Sequence, residues 1–406
     1  MTDEKTRLFI TTHRQDDVRK LALQASRHRD VDMPYALCQI AGWQMARQKI
    51  PTWADIDDIV YPQHLSMEQC SSEHTARYKA SICKRLFADT KHETTLIDLT
   101  GGLGVDFAFM ARNFHHATYV EQQEYLCHIA QHNLSVLNLR HANVVHNDCD
   151  TALKEITGAD MFFIDPARRD QNGSRTYAIA DCTPDILTLE EQLLEKAHWV
   201  MIKLSPMLDW HKAMDDLQQN HPDVVREIHI VAVGNECKEL LFVLSAKEKE
   251  QRSTPSLHCH NDEQEFVVRL GLTSNPSSLT AEECEQMKYL YEPNAAIMKA
   301  GCFDELTQQW PVRPLAPNSH LFLSAEYVPS FPGRSFQVIR RGTLNKKQIH
   351  SLTEGIQQAN VSVRNFPLTV AELRRRLKIK DGGNHYIFAS TTQDHIHMLF
   401  VCRKDF

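Results

Sequence analysis

A strand-like run broken by three glycines constrains this chain most. Residues 95–106 read Thr-Leu-Ile-Asp-Leu-Thr-Gly-Gly-Leu-Gly-Val-Asp. Leu96, Ile97 and Leu99 flank Asp98 in an apolar stretch that suits a buried parallel strand. Gly101, Gly102 and Gly104 stop it, and Phe107, Ala108, Met110 and Ala111 then recur at helical spacing. Strand, glycine turn and helix in this order open a nucleotide-binding α/β unit. The spacing departs from the dinucleotide fingerprint, which calls for a further glycine where Phe107 stands.

The next segments repeat the pattern. Ala117-Thr118-Tyr119-Val120 reads as a second strand, and Glu121 and Gln122 follow it. An acid roughly 20 residues beyond the glycine turn can accept from both hydroxyls of a ribose. Leu126, Ile129 and Ala130 mark one face of a helix, and Val144 and Val145 a third strand that ends in Asn147-Asp148. Met161-Phe162-Phe163-Ile164 makes a fourth, ending in Asp165-Pro166-Ala167-Arg168-Arg169. Asp98 with glycines at 102 and 104 is similar to the first motif of class I S-adenosylmethionine (SAM) methyltransferases, where the turn packs against the methionine part of the cofactor. That resemblance implies SAM as cofactor, held by Asp98, Thr100, Gly102, Gly104, Glu121 and Gln122, with Asp148 at the adenine amino group.

Three further strands are expected at His198–Leu204, Glu227–Val233 and Leu240–Leu244, the last two joined by a short turn. The expectation is an α/β fold with a seven-stranded, Rossmann-like methyltransferase sheet. Between strands four and five, the polar residues 170–184 with Asn172-Gly173-Ser174 read as an active-site loop. Upstream of the glycine turn, Ser71 or Ser72 is placed to cap a helix. Gln69 and Ser71 also offer polar groups to the cofactor. Residues 6–50 are helical in pattern, read as two helices broken near Pro34. His258-Cys259-His260 is read as loop, since no second ligand pair accompanies it, and no metal site is expected. From 280 the chain reads as helix to Glu292-Pro293-Asn294. The domains expected are a helical 1–64, a methyltransferase domain over 65–250, a linking region over 251–323 and a small α+β domain over 324–406.

No apolar run is long enough to span a bilayer, and the N-terminus lacks a signal-peptide core. Eleven cysteines are scattered without a Cys-x-x-Cys pair, which points to a reducing cytoplasm rather than to a disulfide framework. Charge is uneven. Residues 325–406 carry 13 Lys and Arg against 6 Asp and Glu, a net of +7 in a chain that totals −7. Arg374-Arg375-Arg376 with Lys378 and Lys380 is either a solvated helix face or a phosphate-binding surface, and the asymmetry favours the second. Residues 367–378, with Tyr291-Glu292-Pro293-Asn294 and Glu68–Glu73, resemble a bacterial group of SAM methyltransferases with a THUMP-like C-terminal domain. THUMP domains belong to RNA-modifying enzymes, so the resemblance implies an RNA substrate, tRNA or rRNA, bound by Arg374, Arg375, Arg376 and Lys378. A methyltransferase for a small molecule or a protein, or a non-catalytic RNA-binding protein that kept the fold, are the alternatives.

Asp165-Pro166 resembles the fourth motif of methyltransferases that act on nucleobases. The Asp165 side chain and the Pro166 carbonyl can accept from an exocyclic amine. In that motif an aromatic residue usually stacks on the base, whereas Ala167 and Arg168 stand here. Arg168 can stack by its guanidinium plane or bind phosphate, or it is a surface charge. A cysteine nucleophile, Cys182 or Cys237, is a second route without a recognised motif. Lys203 ends strand five beside the site, as a structural residue or a phosphate contact.

Overall fold

In the computed structural model, residues 3–168, 178–246, 254–271 and 276–404 are described. The chain divides into two compact units, one of Met1–Ile228 with Lys238–Pro255, the other of His229–Cys237 with Ser256–Phe406.

The first unit holds a mainly parallel sheet. Its strands are β1 (Thr95–Asp98), β2 (His116–Glu121), β3 (Ala142–His146), β4 (Ala159–Ile164) and β5 (Ala197–Leu204), followed by β6 (Val225–Val233) and β7 (Glu236–Leu244), whose facing ends cross into the second unit. The order is β3-β2-β1-β4-β5-β7-β6. Strands β1 to β5 are parallel, and β7 runs antiparallel to β5. Apolar runs that are buried along their length explain the centre: Phe162, Phe163 and Ile164 of β4 and Val200, Met201 and Ile202 of β5 are all buried. Helices at Glu73–Leu86, Val105–Met110, Glu124–Val136, Cys149–Glu155, Ile186–Lys196 and Trp210–Gln218 alternate with the strands. Helices Glu4–His13, Val18–Leu23 and Met33–Lys49 belong to the same unit. Pro34 does not break a helix. It lies in the first turn of Met33–Lys49, where its missing N–H would have no intrahelical partner.

In the second unit, Gly234 and Asn235 both have positive φ in the tight turn between β6 and β7, as a two-residue hairpin turn requires. Two strands, β8 (Ser256–Asn261) and β9 (Gln264–Arg269), follow β6 in the strand order, so the large sheet counts nine strands among the described residues rather than seven. The expected loop at His258-Cys259-His260 lies within β8. Leu257, Cys259 and Asn261 are buried in strict alternation, the signature of a strand with one face covered. The expected helix from 280 is also corrected. It spans only Ala281–Cys284, and Tyr289–Pro293 is a strand, β10, nearly all buried. With β11 (Arg313–Pro314), β12 (Phe322–Ser324), β13 (Gly333–Thr343), β14 (Asn360–Arg364), β15 (His385–Thr391) and β16 (His397–Arg403), it forms a seven-stranded sheet of order β11-β12-β10-β13-β16-β15-β14. Leu352, Leu373 and Leu377 of two helices pack on Ile387, Leu399 and Val401 in its core. Among the described residues no helix is long and apolar enough to cross a membrane.

A candidate active site at the strand ends

The carboxyl ends of β1, β2 and β4 bring Asp98, Glu121 and Asp165 to one edge of the sheet, where ligands of open parallel sheets bind. Asp98 is 1% exposed, and its Oδ1 accepts from Thr100 N at 2.9 Å. Burial pushes its carboxyl well above the ordinary value. The Thr100 N–H works against this, and the charges of Asp106, Asp165 and Glu121 add to it. Thr100 Oγ1 in turn accepts from Asp165 N at 2.7 Å, which ties the glycine turn to the end of β4.

The turn is fixed from β2. Gly102 N donates to Glu121 Oε2 at 2.9 Å, Gln123 N donates to Oε1 at 2.8 Å, and the Tyr119 hydroxyl donates to the Gly102 carbonyl. Gly102 and Gly104 have φ of 56° and 81°, left-handed values that favour glycine. Gln122 is exposed. Asp148 is exposed and caps helix Cys149–Glu155, its Oδ1 accepting from Thr151 N at 2.9 Å. That backbone hydrogen bond holds its carboxyl below the usual range. Gln69 is exposed at the end of helix His64–Gln69, and the cap of the next helix is Ser72.

Ser71 instead joins a buried ionic cluster that its sequence neighbourhood does not announce. Its hydroxyl lies 2.6 Å from Asp106 Oδ2 and 3.1 Å from Glu239 Oε1. Lys79, wholly buried, pairs with Asp106 Oδ1 at 3.1 Å and with Glu239. Lys203 pairs with Asp165 Oδ2 at 2.5 Å and lies 3.6 Å from Asp106 Oδ2. Burial opposes the charge on Lys203, but Asp165, Asp106 and Glu239 outweigh it and raise its pKa. Burial likewise opposes the charge on Glu239, and Lys79 and Lys203 outweigh it and hold its carboxyl low. Lys79, Asp106 and Glu239 were absent from the sequence-based candidates. One signal was available: Lys79 shares a helical face with the buried Thr75, Ala76, Ile82 and Cys83, and a charge on such a face needs a partner.

Beyond β4, Pro166 is buried, and the backbone of Ala167 and Arg168 pairs antiparallel with Thr183 and Cys182. The Arg168 side chain and the Asn172-Gly173-Ser174 loop lie outside the described structure. Cys237 Sγ lies 3.2 Å from the Ala295 carbonyl, and burial pushes its thiol up, away from the nucleophilic thiolate. In the second unit, the guanidinium of Arg374 pairs with Asp381, while Arg375, Arg376, Lys378 and Lys380 are exposed.

Comparison with known proteins adds the following. A ferredoxin-like domain model matches residues 289–332, and a THUMP domain-like model matches residues 333–404. A crystal structure of a "putative methyltransferase from Porphyromonas gingivalis W83" is 31% identical, covers 100% of both chains and has a TM-score of 0.81. A SAM-dependent methyltransferase from Agrobacterium tumefaciens is 14% identical over 46% of this chain and 64% of that one, with a TM-score of 0.33. The human methyltransferase 10 domain containing protein is 14% identical over 51% of this chain and 96% of that one, with a TM-score of 0.37. No curated protein matches the sequence.

Proposed function

We infer the reaction from a family premise: this chain belongs to the class I SAM-dependent methyltransferases that carry a THUMP-like C-terminal domain. The reaction assigned is methyl transfer to a nucleobase of RNA, in tRNA or rRNA. The observation that carries it is Asp165, a carboxylate at the end of β4 whose side chain is 38% exposed while its backbone is held by Thr100 and its Oδ2 by Lys203.

The strand ends suit the cofactor. Asp98, Glu121 and Asp165 gather there, and SAM carries a cationic sulfur and an ammonium group. When bound, it supplies a methyl group activated by the positive sulfur. Asp98 and Glu121 would accept its polar hydrogens, Glu121 those of the ribose, and Asp148 those of the adenine amino group. Thr100, Gly102 and Gly104 keep the turn close to the sheet edge, and Gln69, Ser71 and Gln122 are the outer candidates.

At the substrate side, the Asp165 carboxylate and the Pro166 carbonyl accept from an exocyclic amine. This orients the lone pair, which is most of what such a transfer asks of a protein. The amine proton then passes to the Asp165 carboxylate. Arg168 is the candidate for stacking on the base or holding a phosphate. The net +7 of residues 325–406 supports a polyanionic substrate, with Arg375, Arg376, Lys378 and Lys380 as its exposed contacts. A reducing cytoplasmic setting accords with the scattered cysteines.

The test is transfer of labelled methyl from SAM to total RNA, with protein and small-molecule fractions alongside, by wild type and Asp165→Ala. Label in RNA that is lost in the variant is the expected result. Label confined to another fraction would refute the RNA assignment.

A further inference from the structure

Asp106, Lys79 and Glu239 make no contact with the substrate in the reaction assigned above, yet through Lys203 they lead directly to Asp165. We propose that Lys203 is a positioning residue for Asp165: through its ammonium, the buried Asp106–Lys79–Glu239 cluster holds the Asp165 carboxylate in place to receive an exocyclic amine. The inference rests on the role assigned to Asp165 in methyl transfer.

The register of the sheet creates the pair. Ile164 of β4 lies opposite Ile202 of β5, so Asp165, the first residue past β4, stands beside Lys203, which is still within β5 and paired with Leu241 of β7. Their ions meet at 2.5 Å. Behind Lys203, Asp106 Oδ2 stands 3.6 Å away and is itself held by the Ser71 hydroxyl at 2.6 Å. Lys79 then joins Asp106 to Glu239.

Side-chain exposure rises along this chain of charges, from 0% at Lys79 to 13% at Lys203 and 38% at Asp165. The cluster is anchored at depth and opens at Asp165. Breaking a buried pair strands its partner, so each member constrains the next. Thr100 fixes the Asp165 backbone independently. Among the described residues, Lys203 is therefore the charged group that holds the side chain.

Among the described residues, the titratable groups acting on this pair are Asp98 from β1, Asp106 from helix Val105–Met110, Cys70 from the segment ahead of helix Glu73–Leu86, and Glu239 from β7. Burial and the acids favour a proton on Asp165, and Lys203 opposes it. Loss of the ammonium should move the Asp165 midpoint to higher pH.

The experiment compares wild type with Lys203→Met, Lys203→Arg and Asp106→Asn. Carbon-13 NMR of labelled aspartate carboxyls, assigned with Asp165→Asn, reads the Asp165 midpoint without substrate. The expected result is a rise of about one pH unit or more in Lys203→Met and a return toward wild type in Lys203→Arg. In methyl transfer, Lys203→Met should lose about 30-fold or more in kcat with KM for SAM within about threefold, and Arg should recover part of it. Asp106→Asn keeps the ammonium but loosens it, so the test survives a Lys203→Met chain that does not fold. There a fall in kcat of about fivefold or more at retained SAM affinity supports the proposal. An unmoved midpoint, or kcat unchanged in the folded variants, overturns it. Midpoint shifts in the variants, together with a wild type that labels no RNA, would refute the RNA assignment and leave the positioning role standing.

Discussion

Gly101 shows how little room the glycine turn leaves. Its φ is not positive, so the backbone alone would accept another residue, but a Cβ there would lie 2.1 Å from Tyr119 Cε2. That ring is fully buried, packs edge-on to Phe107 at 5.6 Å and donates its hydroxyl to Gly102, so it has no free direction in which to move. Gly101→Ala should destabilise the protein by about 1–3 kcal/mol through overpacking. A urea midpoint equal to wild type would show that the ring yields. Glu121 serves the same turn from the other side. Glu121→Ala removes the acceptor of Gly102 N and, if SAM binds here, that of its ribose. Calorimetric titration should find SAM binding weaker by about 1.5–3 kcal/mol per charge-assisted hydrogen bond removed. Equal affinity would take Glu121 out of the site.

At the scale of elements, helix Ile186–Lys196 carries a conspicuous liability. Glu190 sits among buried Ile186, Leu189, Leu193 and Leu194, is 1% exposed, and neither carboxylate oxygen has a hydrogen-bond partner among the described residues. Burial pushes its carboxyl up to about 7 from 4.5. A folded-state pKa above the unfolded one gives stability that is complete below pH 4.5 and declines as pH rises through 7. Glu190→Gln should therefore match wild type near pH 4 and exceed it above pH 8 by up to about 3 kcal/mol, at 1.36 kcal/mol per pKa unit. Denaturant curves at the two pH values that differ by the same amount would reject this. The same scale explains what could be read in advance. The strands β1, β2 and β4 are apolar runs ending in an acid, and each is legible locally. Tyr289–Pro293 is not, because Leu290 and Tyr291 fit a helical pattern as well as a strand and pairing with β13 decides between them. The partner of Lys79 was equally out of reach: Lys79 and Glu239 are 160 residues apart, and only the fold brings the helix and β7 together.

For the molecule as a whole, the uneven charge is the feature with the widest consequence. The basic surplus lies in residues 325–406, but its members are not equivalent. Arg374 is paired with Asp381 and its side chain is 28% exposed, so its charge is largely spent inside the domain. Arg376 donates to the Leu344 carbonyl and keeps an exposed position, and Lys378 closes helix Val370–Leu377 in a left-handed conformation. Arg375, Lys378 and Lys380 are therefore the charges best placed to displace counterions from a polyanion. Neutralising these three to Gln should lower RNA affinity and reduce the slope of log affinity against log salt by about 0.7–0.9 for each phosphate left without its cation, roughly 2–3 in total. Arg374→Gln should leave the slope nearly unchanged and lower thermal stability instead, because it frees Asp381 and opens the packed side of the helix. Fluorescence anisotropy across a salt series separates the two variants, and SAM titration on the same samples controls for damage to the first unit. A triple variant with the wild-type slope would return this helix to an ordinary solvated face. The methyltransferase would then need to bind RNA through another surface, or to take a different substrate.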